Sequence, residues 1–199
     1  MSFFYLDTEI AFTKKETVLK LEKGEYAPFD LHNFKIITIQ YQELEKGGKL
    51  HILKEWESSE EEIIKRFAKI FNPDTAWQFA PVGYNVYFDI GVFLHRAEHF
   101  GIKFDRWKMY HDFPAVDIRP ICICMNGMNF KNSGLDKFTG KGMNGSQVPV
   151  WYEKKEYSKI IDYVEKETKE FTDFYYKLKE KMPKFREEQG FFGKENNHQ

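Results

Sequence analysis

Only two of the 199 residues are cysteine, and both stand in one apolar run, Ile121-Cys122-Ile123-Cys124-Met125. A structural zinc site needs a second pair to complete its tetrahedral ligand set. The C-x-C spacing therefore reads as two buried free thiols, not as a metal or redox motif. Long apolar runs are missing too: nothing approaches the roughly 18 consecutive apolar residues that cross a bilayer. The opening MSFFYLDTEI has no basic segment of the signal-peptide kind. These two absences predict a cytoplasmic protein with no membrane partner. Charge of one sign is also lacking, because 30 Lys and Arg face 31 Asp and Glu for a net charge of -1. A chain so balanced has no global field to attract a polyanion, so any contact with nucleic acid must come from a local patch. No internal repeat is visible. What the chain does have is 42% hydrophobic and 18% aromatic residues, enough to bury one full core. We read one domain over residues 1–182 and a polar C-terminal tail over 183–199.

Periodicity places the elements. FFYLDT is a short apolar run ending in polar residues, which predicts a buried strand with Asp7 at its end. FKIITIQY and KLHILKEW are rich in β-branched and aromatic residues and flank the turn signal LEKGG, which predicts an antiparallel hairpin beside the first strand. In SSEEEIIKRFAKIF a serine cap and an acidic first turn precede Ile63, Ile64, Phe67, Ile70 and Phe71 at helical spacing, with Asn72-Pro73 as the stop. WQFAPVGYN reads as a second buried strand, and FDIGVFLHRAEHFG as a helix opened by Asp89 and closed by Gly101. The lysine- and glycine-rich stretch 131–146 reads as a flexible basic loop. From Tyr157 to Leu178, apolar residues recur in steps of three and four, the mark of an amphipathic helix, with Thr168 as the one exception. Strands first, then helices interleaved with another strand, indicate an α/β fold with a sheet of mixed direction.

Two carboxylates in Asp7-Thr8-Glu9 are spaced so that both point to one face of a strand and could share a cation. By itself the pair is equally readable as two solvated charges. Asp89, placed where a helix follows a buried strand, offers a third carboxylate. In the last helix, counting about 100° per residue from Val164 at the centre of the core face puts Glu167 about 60° away. Asp162, Glu165 and Asp173 fall roughly 160°, 100° and 180° away on the same count. Glu167 alone of these reaches the edge of the core, and Tyr163 lies one turn earlier on the same side. The pair also admits the reading of an ordinary helix edge.

FFYLDTEI, VGYNVYFDIGVFLHRA and YSKIIDYVEKETKEFTDFY together resemble the DnaQ-like 3'-5' exonucleases, above all the exonuclease domain of family B DNA polymerases and its stand-alone relatives. The first stretch resembles the Asp-x-Glu motif. The second resembles the motif with Asn85, Phe88, Asp89, Leu94 and Arg96 at set distances. The third resembles the Tyr-x-x-x-Asp helix of the tyrosine (DEDDy) branch, with Glu167 in place of the aspartate. No histidine lies between Tyr157 and Leu178, so the histidine branch does not fit; His111, near Asp117, comes too soon after Asp89 to supply that histidine. The resemblance implies a ribonuclease H-like fold, a mixed five-stranded sheet flanked by helices. It also implies two-metal hydrolysis of phosphodiesters in single-stranded DNA, in preference to RNA. On that reading Asp7, Glu9 and Glu167 hold the first ion, Asp7 bridges to the second, Asp89 supports it, and Tyr163 orients the attacking water. Oxygen ligands favour Mg2+ or Mn2+. Thr8, Asn85, Phe88, Lys137 and Lys141 are the expected substrate contacts, with Lys131, Phe130 and Phe138 as further stacking and charge candidates in the same loop. Asp112 and Asp117 are expected as loop and strand-end acids without a metal role. QGFF in the tail resembles the end of a sliding-clamp-binding peptide, although the spacing from Gln189 departs from it. The alternatives are a catalytically weakened or inactive relative that binds nucleic acid or a protein partner, which the aspartate-to-glutamate change suggests, and an endonuclease of the same fold.

Overall fold

Ten residues, Phe3–Phe12, form strand β1 at the centre of the sheet. The computed structural model describes residues 1–45, 47–72, 74, 77–140 and 145–188. Strand β2 (Phe34–Glu43) runs antiparallel to β1, and β3 (His51–Lys54) runs antiparallel to β2. On the other side β4 (Ala80–Gly83) lies parallel to β1, and β5 (Val116–Asp117) lies parallel to β4. The order is β3-β2-β1-β4-β5. The antiparallel meander and the parallel half match the mixed sheet expected from the strand-then-helix sequence pattern.

Helices cover both faces. The first three are α1 (Lys15–Glu22), α2 (Glu60–Ala68) and α3 (Val86–His99). Next come the short α4 (Arg106–His111), α5 (Arg119–Met125), α6 (Leu135–Thr139) and α7 (Val148–Glu153), and last the long α8 (Tyr157–Glu188). Side chains alternate along β1. Leu6 joins Ile36, Ile39, Ile64, Phe67, Val86 and Phe93 in the core beneath α2 and α3. Tyr5 packs with Phe171 and Phe174 of α8, and Ala11 with Val148, Tyr163 and Val164. The face that carries Tyr5 and Ala11 also carries Asp7 and Glu9.

One buried ion pair ties the helical layer to the sheet. The β1–β2 register steps from Glu9↔Thr38 to Ile10↔Ile36, which leaves Ile37 as the extra residue of a bulge. The Ile36 amide donates to Glu60 Oε1 at 2.7 Å, and Arg96 Nε and Nη2 donate to the two oxygens of Glu60 at 2.7 and 2.6 Å.

Gly83 ends β4 where there is no room for a side chain. A Cβ there would lie 2.8 Å from the Leu6 carbonyl oxygen and 3.0 Å from Val86 Cβ. Gly83→Ala is therefore expected to push β4 from β1 and to cost about 1–3 kcal/mol, the range for overpacking. Urea unfolding checks this, and an unchanged midpoint would contradict the close packing.

Several elements differ from expectation. Strand β1 does not stop near Asp7 but continues to Phe12, because β2 pairs with it along its whole length. Helix α3 begins three residues before Asp89, at Val86. Helix α2 ends at Ala68; Ile70 and Phe71 both turn their amides to the Phe67 carbonyl, which keeps Phe71 buried and leaves Ile70 exposed. Cys122 is buried, but Cys124 is exposed, since α5 turns alternate residues of the ICICM run to different sides. The expected basic loop contains α6, because Leu135 and Phe138 find apolar partners against α8. Helix α8 runs through Pro183 to Glu188, well into the stretch expected as a loose tail. Helices α1, α4 and α7 were not anticipated; all are short, with too few turns for a clear periodicity.

Candidate active site

Asp7 and Glu9 sit in mid-strand, two residues apart on one face of β1. What opens the site is the neighbouring strand. Pairing between β1 and β4 covers only Phe3, Phe4 and Tyr5, so beyond Tyr5 one edge of β1 has lost its ladder. The first turn of α3 takes that place. The Thr8 amide donates to Asp89 Oδ1 at 3.0 Å, and the Thr8 hydroxyl donates to the same oxygen at 2.7 Å. Asp89 thus accepts the bond that a continuing β4 would have accepted, which fixes the carboxylate beside β1.

From the other layer, α8 brings Glu167. Ligand oxygens of Asp7, Glu9 and Glu167 lie within 4.8 Å of one another, and among the described residues no other trio of acidic, histidine or cysteine side chains does so. Glu167 is half-buried while Asp162, Glu165 and Asp173 are exposed, in agreement with the angular count around the helix. Tyr163, one turn earlier and 3% exposed, stands beside Glu167. Its hydroxyl occupies space that exists because Gly145 has no side chain: a Cβ there would lie 2.9 Å from the phenolic oxygen.

The second layer of contacts escaped the sequence reading. Gln40 pairs with Asp7 across the sheet and donates Nε2 to Asp7 Oδ2 at 2.7 Å, while its own Oε1 accepts from the Thr38 hydroxyl at 2.9 Å. Tyr5 also donates to Asp7 Oδ2, at 3.3 Å. Thr38 and Gln40 are fully buried. Their signal was present as two polar residues at alternate positions in FKIITIQY, on the register that faces an Asp-x-Glu strand.

Electrostatics sort these groups. Burial, and after it the negative charge of Asp7, push the Asp89 carboxyl well above the ordinary aspartate range. Burial first, then the charges of Glu9 and Glu167, hold the Tyr163 phenol far above its usual range; Tyr5 is raised by burial and then by Asp7. Both phenols are therefore hydrogen-bond donors at neutral pH and not bases. Clustered carboxylates repel unless a cation neutralises them.

A consequence follows for stability without metal. Because the folded-state value of Asp89 is raised, its favourable contribution is complete below the unfolded value near 3.8 and is lost as pH climbs through the folded value. An asparagine in its place would keep an Oδ1 for both Thr8 bonds without the charge. Asp89→Asn is expected to stabilise the metal-free protein at pH 7–8 by about 1–2 kcal/mol, or about 2–4 °C in Tm for each kcal/mol. The gain should shrink toward pH 4. Thermal melts in chelator across this range test it, and a lower Tm for the variant at pH 8 would contradict it.

The other expected residues are distributed more widely. Thr8 is buried and committed to Asp89. Asn85 stands in the left-handed region at φ 62°, its amide donating to Asp117 Oδ1 at 2.8 Å and its side-chain oxygen accepting from Arg119 at 2.9 Å. Asp117 also accepts the Arg119 amide at 2.9 Å, so it pins the start of α3 to α5. Phe88 is 40% exposed, next to Asp89, with the edge of Phe29 against it at 5.1 Å. Lys137 pairs with Asp136 at 3.1 Å on α6, and Phe138 packs on Phe174, two turns of α8 beyond Glu167. Phe138 is therefore part of the packing, whereas Phe130 is exposed. Lys141, Gln189 and the tail phenylalanines Phe191 and Phe192 lie outside the described residues. His111 stacks on Trp107 at 3.7 Å.

The sheet order, its mixed direction and the helices on both faces define an α/β fold of the ribonuclease H-like class. The chain is similar in structure to the family B DNA polymerase from the hyperthermophilic archaeon Pyrobaculum calidifontis, with a TM-score of 0.60 and 15% identity over 92% of this chain. The match covers 25% of that polymerase chain, so this protein corresponds to about a quarter of its length. No protein-family model and no curated protein sequence matches the chain. Among the described residues, no helix is long and apolar enough to cross a membrane.

Proposed function

We propose that the protein is a metal-dependent 3'-5' exonuclease of the tyrosine branch, acting on single-stranded DNA in preference to RNA. The observation that carries the reading is the convergence of Asp7, Glu9 and Glu167 oxygens within 4.8 Å from two elements far apart in sequence, with Asp89 held beside them by Thr8. An all-oxygen donor set of this kind suits Mg2+ or Mn2+. Asp7, Glu9 and Glu167 would hold one ion, and Asp7 with Asp89 a second. Two such ions supply an activated water and a counter-charge for the leaving 3' oxygen.

The chain's own residues then have definite tasks. Gln40 and Tyr5 both donate to Asp7 Oδ2 and so orient the carboxylate that would face both ions. Tyr163, protonated and beside Glu167, would steady that carboxylate and offer a phenol to a water held there. Phe88 and Phe29 offer exposed aromatic surface next to Asp89 for stacking a terminal base, and Lys137 and Lys141 are proposed contacts to the strand's phosphates.

Digestion of a 5'-labelled single-stranded oligonucleotide with Mg2+ or Mn2+ tests the reading. A ladder of products shortened from the 3' end is expected, with a circular single strand left intact. Internal cuts in the circle would indicate an endonuclease. No cleavage of DNA or RNA would instead favour a non-cleaving relative, the reading that Glu167 in place of aspartate keeps in view.

A further inference from the structure

Carboxylates are not the only groups gathered where α3 begins. Arg119, the first residue of α5, is exposed and donates Nη1 to Asn85 Oδ1 at 2.9 Å. A guanidinium carries donors only, so this bond orients the Asn85 amide, with Oδ1 toward Arg119 and the two Nδ2 hydrogens away from it. Asn85 is diverted from its usual task. It stands at the N-cap of α3, where an asparagine commonly accepts from a first-turn amide, yet its side chain makes no cap bond. Both residues hang from one atom: Asp117 Oδ1 accepts the Asn85 amide at 2.8 Å and the Arg119 amide at 2.9 Å. We propose that Arg119, with Asn85 beside it, clamps a backbone phosphate of a single-stranded nucleic acid next to the nucleotide stacked on Phe88.

The pair is rich in donors, positively charged and set in place before any ligand arrives. A phosphodiester is its complement, an anion with two free oxygens that a planar guanidinium can hold through parallel bonds. The bond to Asn85 uses one of the five guanidinium N–H groups. Position points the same way. Asn85 lies three residues before Phe88 and four before Asp89, one turn of α3 away. A base stacked on the exposed Phe88 therefore brings its backbone toward Arg119. Such a cation is needed there, because a chain of net charge -1 has no global field for a polyanion and the nearby carboxylates repel one. This clamp rests on the nuclease reading for the path of the strand, but its binding signature is separate from cleavage.

Fluorescence anisotropy of a 5'-labelled oligo-dT strand on the full chain, with Ca2+ in place of Mg2+ and the strand checked for length afterwards, tests the clamp across a salt series. Arg119→Gln should bind about tenfold more weakly at low salt, and its slope of log affinity on log salt should shrink by roughly 0.7, the loss of one single-strand phosphate contact. Arg119→Lys should keep the slope and lose affinity, since an ammonium retains the charge without the fork. Neutral methylphosphonates placed one at a time near the 3' end should reveal one linkage whose change weakens the wild type and leaves Arg119→Gln unaffected. A wild-type slope in Arg119→Gln, or linkages that weaken both proteins alike, would overturn the clamp even if the wild type degrades the strand. Binding with the expected signature but without cleavage in Mg2+ or Mn2+ would support the clamp and overturn the nuclease reading. A wild type that fails to hold the strand at low salt would overturn both.

Discussion

Asp7→Asn is expected to abolish cleavage, lowering the rate by about three orders of magnitude or more while the fold persists. The size follows from what the residue would do. A bridging carboxylate is shared by both ions, and the charge stabilisation they provide amounts to several kcal/mol, each 1.4 kcal/mol being a factor of ten in rate. The fold should survive because asparagine keeps the shape and an Oδ1 acceptor. Gln40 donates to Asp7 Oδ2 at 2.7 Å; rotation of the introduced amide lets its carbonyl oxygen accept that bond. Removing one charge from a repelling cluster offsets any weakening. Circular dichroism and melting in chelator should therefore match or exceed the wild type. A variant that cuts within tenfold of wild type would remove Asp7 from the chemistry.

Arg96→Met should produce the largest loss of stability, about 3–5 kcal/mol, the range for breaking one side of a buried ion pair. The side chains of Arg96 and Glu60 are 13% and 9% exposed, so solvent replaces little of what is lost. Methionine fills similar volume but leaves the Glu60 carboxylate with the Ile36 amide, at 2.7 Å, in place of three donors. Urea unfolding at pH 7 measures the loss. Because the Ile36 amide belongs to the bulge beside Glu9, activity should fall along with stability. An exposed-pair effect below about 1 kcal/mol would show that the clamp is not as dry as its geometry.

Residues differ in how far the chain alone revealed them. The central strands, α2, α3 and most of α8 follow from periodicity, because each buries a full face against the sheet. Glu167 was reached by counting angles around α8, which works for a long amphipathic helix with one clear core stripe. Asp7 was recognised but misplaced at a strand end. Its accessibility comes from where the neighbouring strand β4 stops, a fact of pairing that FFYLDTEI does not contain. Gln40 and Tyr5 were missed for the same reason: their contact with Asp7 is set by β1–β2 register and by side-chain direction on a shared face. Helix α6 hid inside a glycine- and lysine-rich stretch because five residues with two apolar anchors carry too little pattern, and its stability comes from α8.

We propose that carboxylates from β1, α3 and α8 build one metal centre. A crystal structure of the protein soaked in Mn2+, with data collected at the manganese absorption edge, tests it most directly. Two anomalous peaks are predicted, one bounded by Asp7, Glu9 and Glu167 and the other between Asp7 and Asp89. Manganese bound elsewhere, or no peak against Asp7 at millimolar Mn2+, would contradict the account.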